Sequence, residues 1–99
     1  MVDESKLRQD QERARGAEAL LKSDLLTEAF KGLEDNYTAA WRSTMIEDVS
    51  GREKLFLAIN IVGKVRDHLT AIVNNGKLAS AELKALADTA ERQRLFGRR

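Results

Sequence analysis

The chain has 99 residues, one-third of them charged, a formal net charge of +1 at pH 7, no proline and no cysteine. This length allows a single domain, whose compact form would bury roughly 60–65% of the unfolded surface. The lack of cysteine excludes a disulfide scaffold, a thiolate metal site and a thiol nucleophile, and the lack of proline removes the commonest helix breaker.

Residues 1–22 predict a polar N-terminal helix with five acids and five bases. Its apolar positions are sparse: Leu7, Ala14, Ala17, Leu20 and Leu21. Glu4 with Arg8, and Glu12 with Arg15, stand at helical-neighbour spacings that support helicity slightly. The opening MVDESKLRQDQERARG is charged where a secretory signal needs an apolar core, so no export signal is expected.

A second helix is predicted over residues 24–46, with Ser23 or Asp24 as its N-cap. Leu26, Phe30, Leu33, Tyr37, Ala40 or Trp41, and then Thr44 or Met45 draw one stripe at a 4-3-4-3-4 spacing, which is a helical and not a strand period. Ser50 and Glu53 match a capping box, predicting a third helix over residues 51–74. Leu55, Ala58, Val62, Val65, Leu69 and Ile72 form its stripe, and Phe56, Leu57, Ile59 and Ile61 widen the apolar surface. Asn74-Asn75-Gly76 predicts its end, with Gly76 in the left-handed conformation. A fourth helix is expected over residues 78–94, followed by a basic tail at 95–99.

The two central helices are similar in length and closely connected, which predicts a long antiparallel hairpin in an all-α domain. Residues whose numbers sum to about 97 then stand level at an equal rise per residue. Gly32 and Gly63 fall near one level; either the backbones approach closely there or the glycines are simply tolerated in helix interiors. Leu55, Ala58, Val62 and Val65 are expected to meet Leu33, Tyr37 and Trp41. That leaves Phe56, Leu57 and Ile59 as a face the hairpin does not cover, and a candidate protein interface.

Charge is uneven along the chain. Residues 23–50 carry six acids and two bases, net −4, whereas residues 77–99 carry six bases and three acids, net +3. Such asymmetry suggests complementarity between helices or subunits. Arg92, Arg94, Arg98 and Arg99 form the strongest basic cluster, readable as a contact for nucleic acid or an acidic partner, or as solvated charge near a helix C-terminus. Leu95 and Phe96 within it are either an anchor on a neighbouring subunit or the end of the fourth helix touching the core.

Little in the chain resembles catalytic machinery. His68 is the sole histidine and has no cysteine to share a metal with. Glu34-Asp35 and Glu47-Asp48 are sequence neighbours that diverge around a helix, and no phosphate-cradling glycine spacing is present. Neither enzymatic activity, a cofactor nor a small-molecule substrate is expected. The apolar run LFLAINIVGKV, residues 55–65, is interrupted by Asn60 and Lys64 and falls far short of the ~20 residues of a membrane span, so a cytoplasmic protein without membrane contact is expected.

The stretches ARGAEALLKSDLLTEAFKGLEDNYTAAWRST and REKLFLAINIVGKVRDHLTAIVNNGKLASAEL carry a further likeness. The paired leucines before a polar-capped helix, the W-R-x-T, the K-V-R-x-H-L and the N-G-K-L turn together resemble small helical proteins of unassigned role from the structural and packaging gene regions of tailed phages and prophages. That resemblance implies a virion-assembly, connector, scaffolding or packaging role, in the host cytoplasm or the virion. It implies no catalytic residue. The expected function is a non-enzymatic assembly or adaptor protein forming homo-oligomers or larger protein assemblies; the alternative is a small nucleic-acid-binding packaging or regulatory subunit.

Overall fold

The computed structural model describes residues 3–97, which form three helices and no strand: α1 (Glu4–Leu21), α2 (Asp24–Arg42) and α3 (Val49–Phe96). Each start is capped by a side chain that takes up backbone N–H groups left without an intrahelical partner. The Asp3 carboxylate accepts from the Ser5 and Lys6 amides at 3.0 and 3.3 Å, and the Ser23 hydroxyl accepts from the Leu26 amide at 3.2 Å. α2 stops at Arg42, four residues before the expected end. Its last carbonyls are taken by local hydroxyls instead: Ser43 Oγ donates to Ala39 O at 2.9 Å and Thr44 Oγ1 to Trp41 O at 2.6 Å. Such side-chain bonds compete with helix continuation.

The cap of α3 also differs from the expected box. Asp48 is the N-cap, its carboxylate accepting from the Gly51 amide at 3.0 Å, and Ser50 lies inside the helix. An ionised carboxylate at this end also faces the positive pole of the helix dipole, which a serine hydroxyl does not exploit.

The larger correction concerns residues 74–78. The third and fourth helices expected from the sequence are one 48-residue helix, with no break at Asn75-Gly76 and no glycine at positive φ among the described residues. Gly76 is buried against α1, where an added Cβ would overlap the Ala14 methyl and lie 3.2 Å from the Asp10 carbonyl oxygen. The missing side chain therefore serves close helix approach and not chain reversal. Continuing the helix carries Ala79 into the same seam, where it is 3% exposed. That packing outweighs the propensity cost of roughly 1 kcal/mol for an interior glycine.

The resulting shape is a rod. At 1.5 Å per residue α3 alone is about 72 Å long, and the rod measures 79 × 27 × 16 Å. α2 lies along the first part of α3 in opposite order: Phe30 and Glu34 meet Arg66, while Trp41 and Thr44 meet Arg52. α1 lies along the later part, also reversed, with Gln11 Nε2 donating to Ser80 Oγ at 2.8 Å and Ala14 facing Gly76. α1 and α2 thus follow one another along a single continuous partner. The radius of gyration is 21.7 Å, against about 13 Å for a compact domain of this length.

Two helices side by side enclose little. Only Ala14, Ala17, Val62 and Ala79 form the buried apolar core, and no large side chain is fully enclosed among the described residues. Gly32 and Gly63 have open space where a Cβ would stand, so of the two readings the glycines are simply tolerated and the backbones do not approach closely there. Phe30, Tyr37 and Trp41 are half-buried along the seam, and Phe56 is exposed.

The two kinds of glycine give opposite expectations. Gly63→Ala should stabilise the chain by up to about 1 kcal/mol through helix propensity alone. Gly76→Ala should instead destabilise by about 1–3 kcal/mol because the seam is overpacked, with Ala14→Gly restoring part of the loss. Urea unfolding followed by circular dichroism measures both.

Candidate interaction surface

The half of the rod built by α2 and α3 has two unlike edges. Along one, arginines on α3 clamp α2. Arg66 Nη2 is 3.0 Å from Glu34 Oε1, and its guanidinium carbon lies 5.1 Å from the centre of the Phe30 ring. Arg52 lies 4.7 Å over the Trp41 ring and donates to Thr44 Oγ1 at 2.8 Å. Each arginine covers an aromatic face with its cation, so these rings are closed off by charge and not by a third helix.

The remaining surface of α3 is apolar. Leu57, Ile61 and Val65 follow at i+4 spacing and are all exposed, Ile61 at 59%. Leu69 continues the row, half-buried, and Ile61, Lys64, Val65, His68 and Leu69 line a shallow hollow with almost wholly apolar walls. Leu33 of α2 is 43% exposed. The only exposed imidazole, His68, thus borders an apolar hollow, and no group of three metal-ligating side chains occurs among the described residues.

Of the residues expected to face a partner, Phe56 and Leu57 are exposed. Ile59 is not free in the same way: it is half-buried. Its position four residues after Leu55 and three before Val62 places it beside the stripe that meets α2. The reverse holds for Val65 and Leu33, which were expected in the seam and are exposed. A continuous i+4 row from Leu57 to Leu69 was the sequence signal for this surface, hidden by assigning Val65 to the covered stripe.

Leu95 and Phe96 are exposed at the far end of α3. Arg92 lies about one turn earlier and Arg94 directly precedes Leu95, and the Arg94 guanidinium is held by Glu91 through bonds of 2.6 and 3.3 Å. Arg98 and Arg99 lie outside the described residues. At the opposite end, the turn between α2 and α3 shows Met45, Ile46 and Val49, with Ile46 82% exposed. Met45 was an alternative to Thr44 in the expected α2 stripe; Ile46 and Val49 were not singled out.

Glu18 and Lys31, each in an exposed helix-neighbour pair, titrate away from their usual ranges. The hydrogen bond and charge of Lys22 hold the Glu18 carboxyl below its usual range, and those of Asp35 hold the Lys31 ammonium above its own. Both groups are exposed, so these shifts reflect surface pairing and not a poised acid or base. No helix among the described residues is long and apolar enough to cross a membrane.

Compared with family models, curated proteins and solved structures, the chain matches none.

The arginine edge is testable on the chain alone. Arg66→Ala removes one ion pair and one cation–π contact, together about 1 kcal/mol at a partly exposed site. Arg66→Lys should recover less than half, because the planar guanidinium is what covers the ring. The midpoint of urea unfolding reads both.

Proposed function

We propose that this chain is a non-enzymatic helical assembly protein: a long antiparallel hairpin extended by α1 and the end of α3, which acts by burying its uncovered apolar face against copies of itself. The observation that carries this reading is an excess of surface. The chain exposes 7972 Å², whereas a compact monomer of 11.1 kDa exposes about 5,700 Å². The difference of about 2,300 Å² is well above the ~800 Å² that each partner contributes to a standard stable interface. Part of that surplus is apolar and contiguous, running through Leu57, Ile61 and Val65.

Covering each such side chain gains about 1.5–3 kcal/mol when burial is complete. The core of the single chain is made of Ala and Val side chains and supplies few such gains internally. Association is therefore the largest stabilising step open to this fold. The resemblance to small helical phage proteins supports the same reading and narrows it to a virion-assembly, connector or scaffolding component, working in the host cytoplasm or the virion.

The nucleic-acid alternative rests on Arg92, Arg94, Arg98 and Arg99. Arg94 already has its guanidinium on Glu91, which weakens that reading. It requires duplex binding that falls steeply as salt rises.

Sedimentation equilibrium of the purified chain at micromolar concentration tests the proposal. The expected mass is a multiple of 11.1 kDa. Ile61→Lys with Val65→Lys should weaken association at least about 100-fold, given the burial gains above, while helix content stays unchanged because both positions are exposed in the single chain. A strict monomer for the unaltered protein overturns the proposal.

A further inference from the structure

We infer that the two-residue joint at Lys22–Ser23 is a conformational switch point: its backbone turn keeps the small-residue stripe of α1 shut against α3, and straightening it into helix turns that stripe outward. The seam concerned is the one between α1 and α3, away from the exposed apolar row.

The joint interrupts what is otherwise one helical path. α1 and α2 both run opposite to α3 and follow one another along it. From Glu4 to Arg42 only Ser23 leaves the helical region, at φ −71° and ψ 120°, while Lys22 keeps φ −87° and ψ −7°. The Ser23 hydroxyl accepts from the Leu26 amide at 3.2 Å, which caps α2 as a helix of its own. Beside it, Leu20, Leu21, Leu26, Thr27, Phe30 and Arg66 line a hollow of about 220 Å³, so the joint is loosely filled.

Phase shows what the joint does. Ala17 is buried and Leu21 half-buried at the end of α1, and Leu26 and Phe30 are half-buried at the start of α2. Ala17 precedes Leu26, and Leu21 precedes Phe30, by nine residues. That separation is about 2.5 turns of a continuous helix, which sets each pair about 180° apart. A single straight helix therefore cannot lay both stripes on one partner. The seven-residue step from Ala14 to Leu21, continued into α2, falls on Glu28, Asp35 and Arg42, all charged and exposed. The extended Ser23 absorbs the missing half-turn, and both stripes reach α3.

The seam closed in this way depends on which face α1 presents. Gly76 admits the Ala14 methyl only because it has no side chain, and Ala17 and Ala79 are 4% and 3% exposed. Half a turn of α1 carries Ala14 and Ala17 outward and uncovers Gly76 and Ala79. The change centres on one backbone rotation, taking ψ of Ser23 from 120° to about −42°. It exchanges the Ser23 cap for the backbone bonds of an uninterrupted helix, so α1 and α2 each stay intact.

Deletions through the joint read the phase. The chain has no cysteine, so Ala17→Cys supplies one thiol in the seam, and Ala79→Cys serves if that variant fails to fold. Removing Lys22 and Ser23 together brings the paired positions to seven residues, about two turns, so a joined helix has both stripes in phase. Removing Ser23 alone, or residues 22–24, sets them about 80–120° apart. Iodoacetamide should alkylate the thiol at least about 100-fold slower in the folded full-length chain than in urea, and the two-residue deletion should stay within about threefold of that rate. The one-residue and three-residue deletions should react at least about tenfold faster. Equal rates across the three deletions, or a two-residue deletion as reactive as the others, overturn the joint as a phase corrector. In the full-length chain, Lys22→Ala with Ser23→Ala favours the straight form, and the thiol should react about fivefold faster while circular dichroism shows helix content kept or raised. An unchanged rate, or a faster one with helix lost, overturns the switch.

Discussion

A structure only two helices wide and one helix thick has no interior in the ordinary sense. Its smallest dimension, 16 Å, is close to that of a single helix with its side chains, about 10–12 Å across. Nothing lies above or below the seam, so a side chain there is covered from the sides and left open in front and behind. This constraint explains the choice of residues. Where the helices come closest, the seam is built from Ala14, Ala17, Gly76 and Ala79, which need no third layer to be covered. Where larger side chains occupy it, they remain half-buried, as Phe30, Tyr37 and Trp41 do.

The two halves of the rod solve the problem differently. Along α1 the backbones approach closely, and the small residues are closed by proximity. Along α2 the residues are larger, and Arg52 and Arg66 lay their guanidinium groups over aromatic rings at one edge. The long aliphatic stems of arginine shield apolar surface while the charge remains in water. The other face has no such cover, and there the row of Leu57, Ile61 and Val65 stays exposed. What the single chain fails to cover is the face that the proposed assembly would bury.

Much of the local structure was legible from residue pattern. The all-helical class follows from the 3-4 spacing and the missing proline, and Ser23 as the cap of α2 follows from its side chain. The stop at Gly76 was misread, because Asn-Asn-Gly marks the end of a helix only when nothing rewards its continuation. Here Ala14 of α1 does reward it, through a contact 62 positions away in sequence. Ser50 and Glu53 had the right spacing for a cap, yet Asp48 lies nearer the true start and carries the charge that suits it. The candidate surface was legible in part: Phe56 and Leu57 were placed outside correctly, whereas Ile59 and Val65 were exchanged between faces. Neighbouring stripes on a broadly apolar helix differ by a rotation of less than one residue step, which no spacing rule resolves.

The sequence by itself determined that this protein is helical, where its second helix begins, and that its apolar surface exceeds what its own polar first helix offers to cover. Those properties are local, set by capping side chains and by periodicity within one turn or two. The tertiary structure decided that α3 is a single 48-residue helix, that α1 and α2 share it as a common partner, and which face is left open. These depend on how close two backbones come, and that distance is set by residues far apart in the chain.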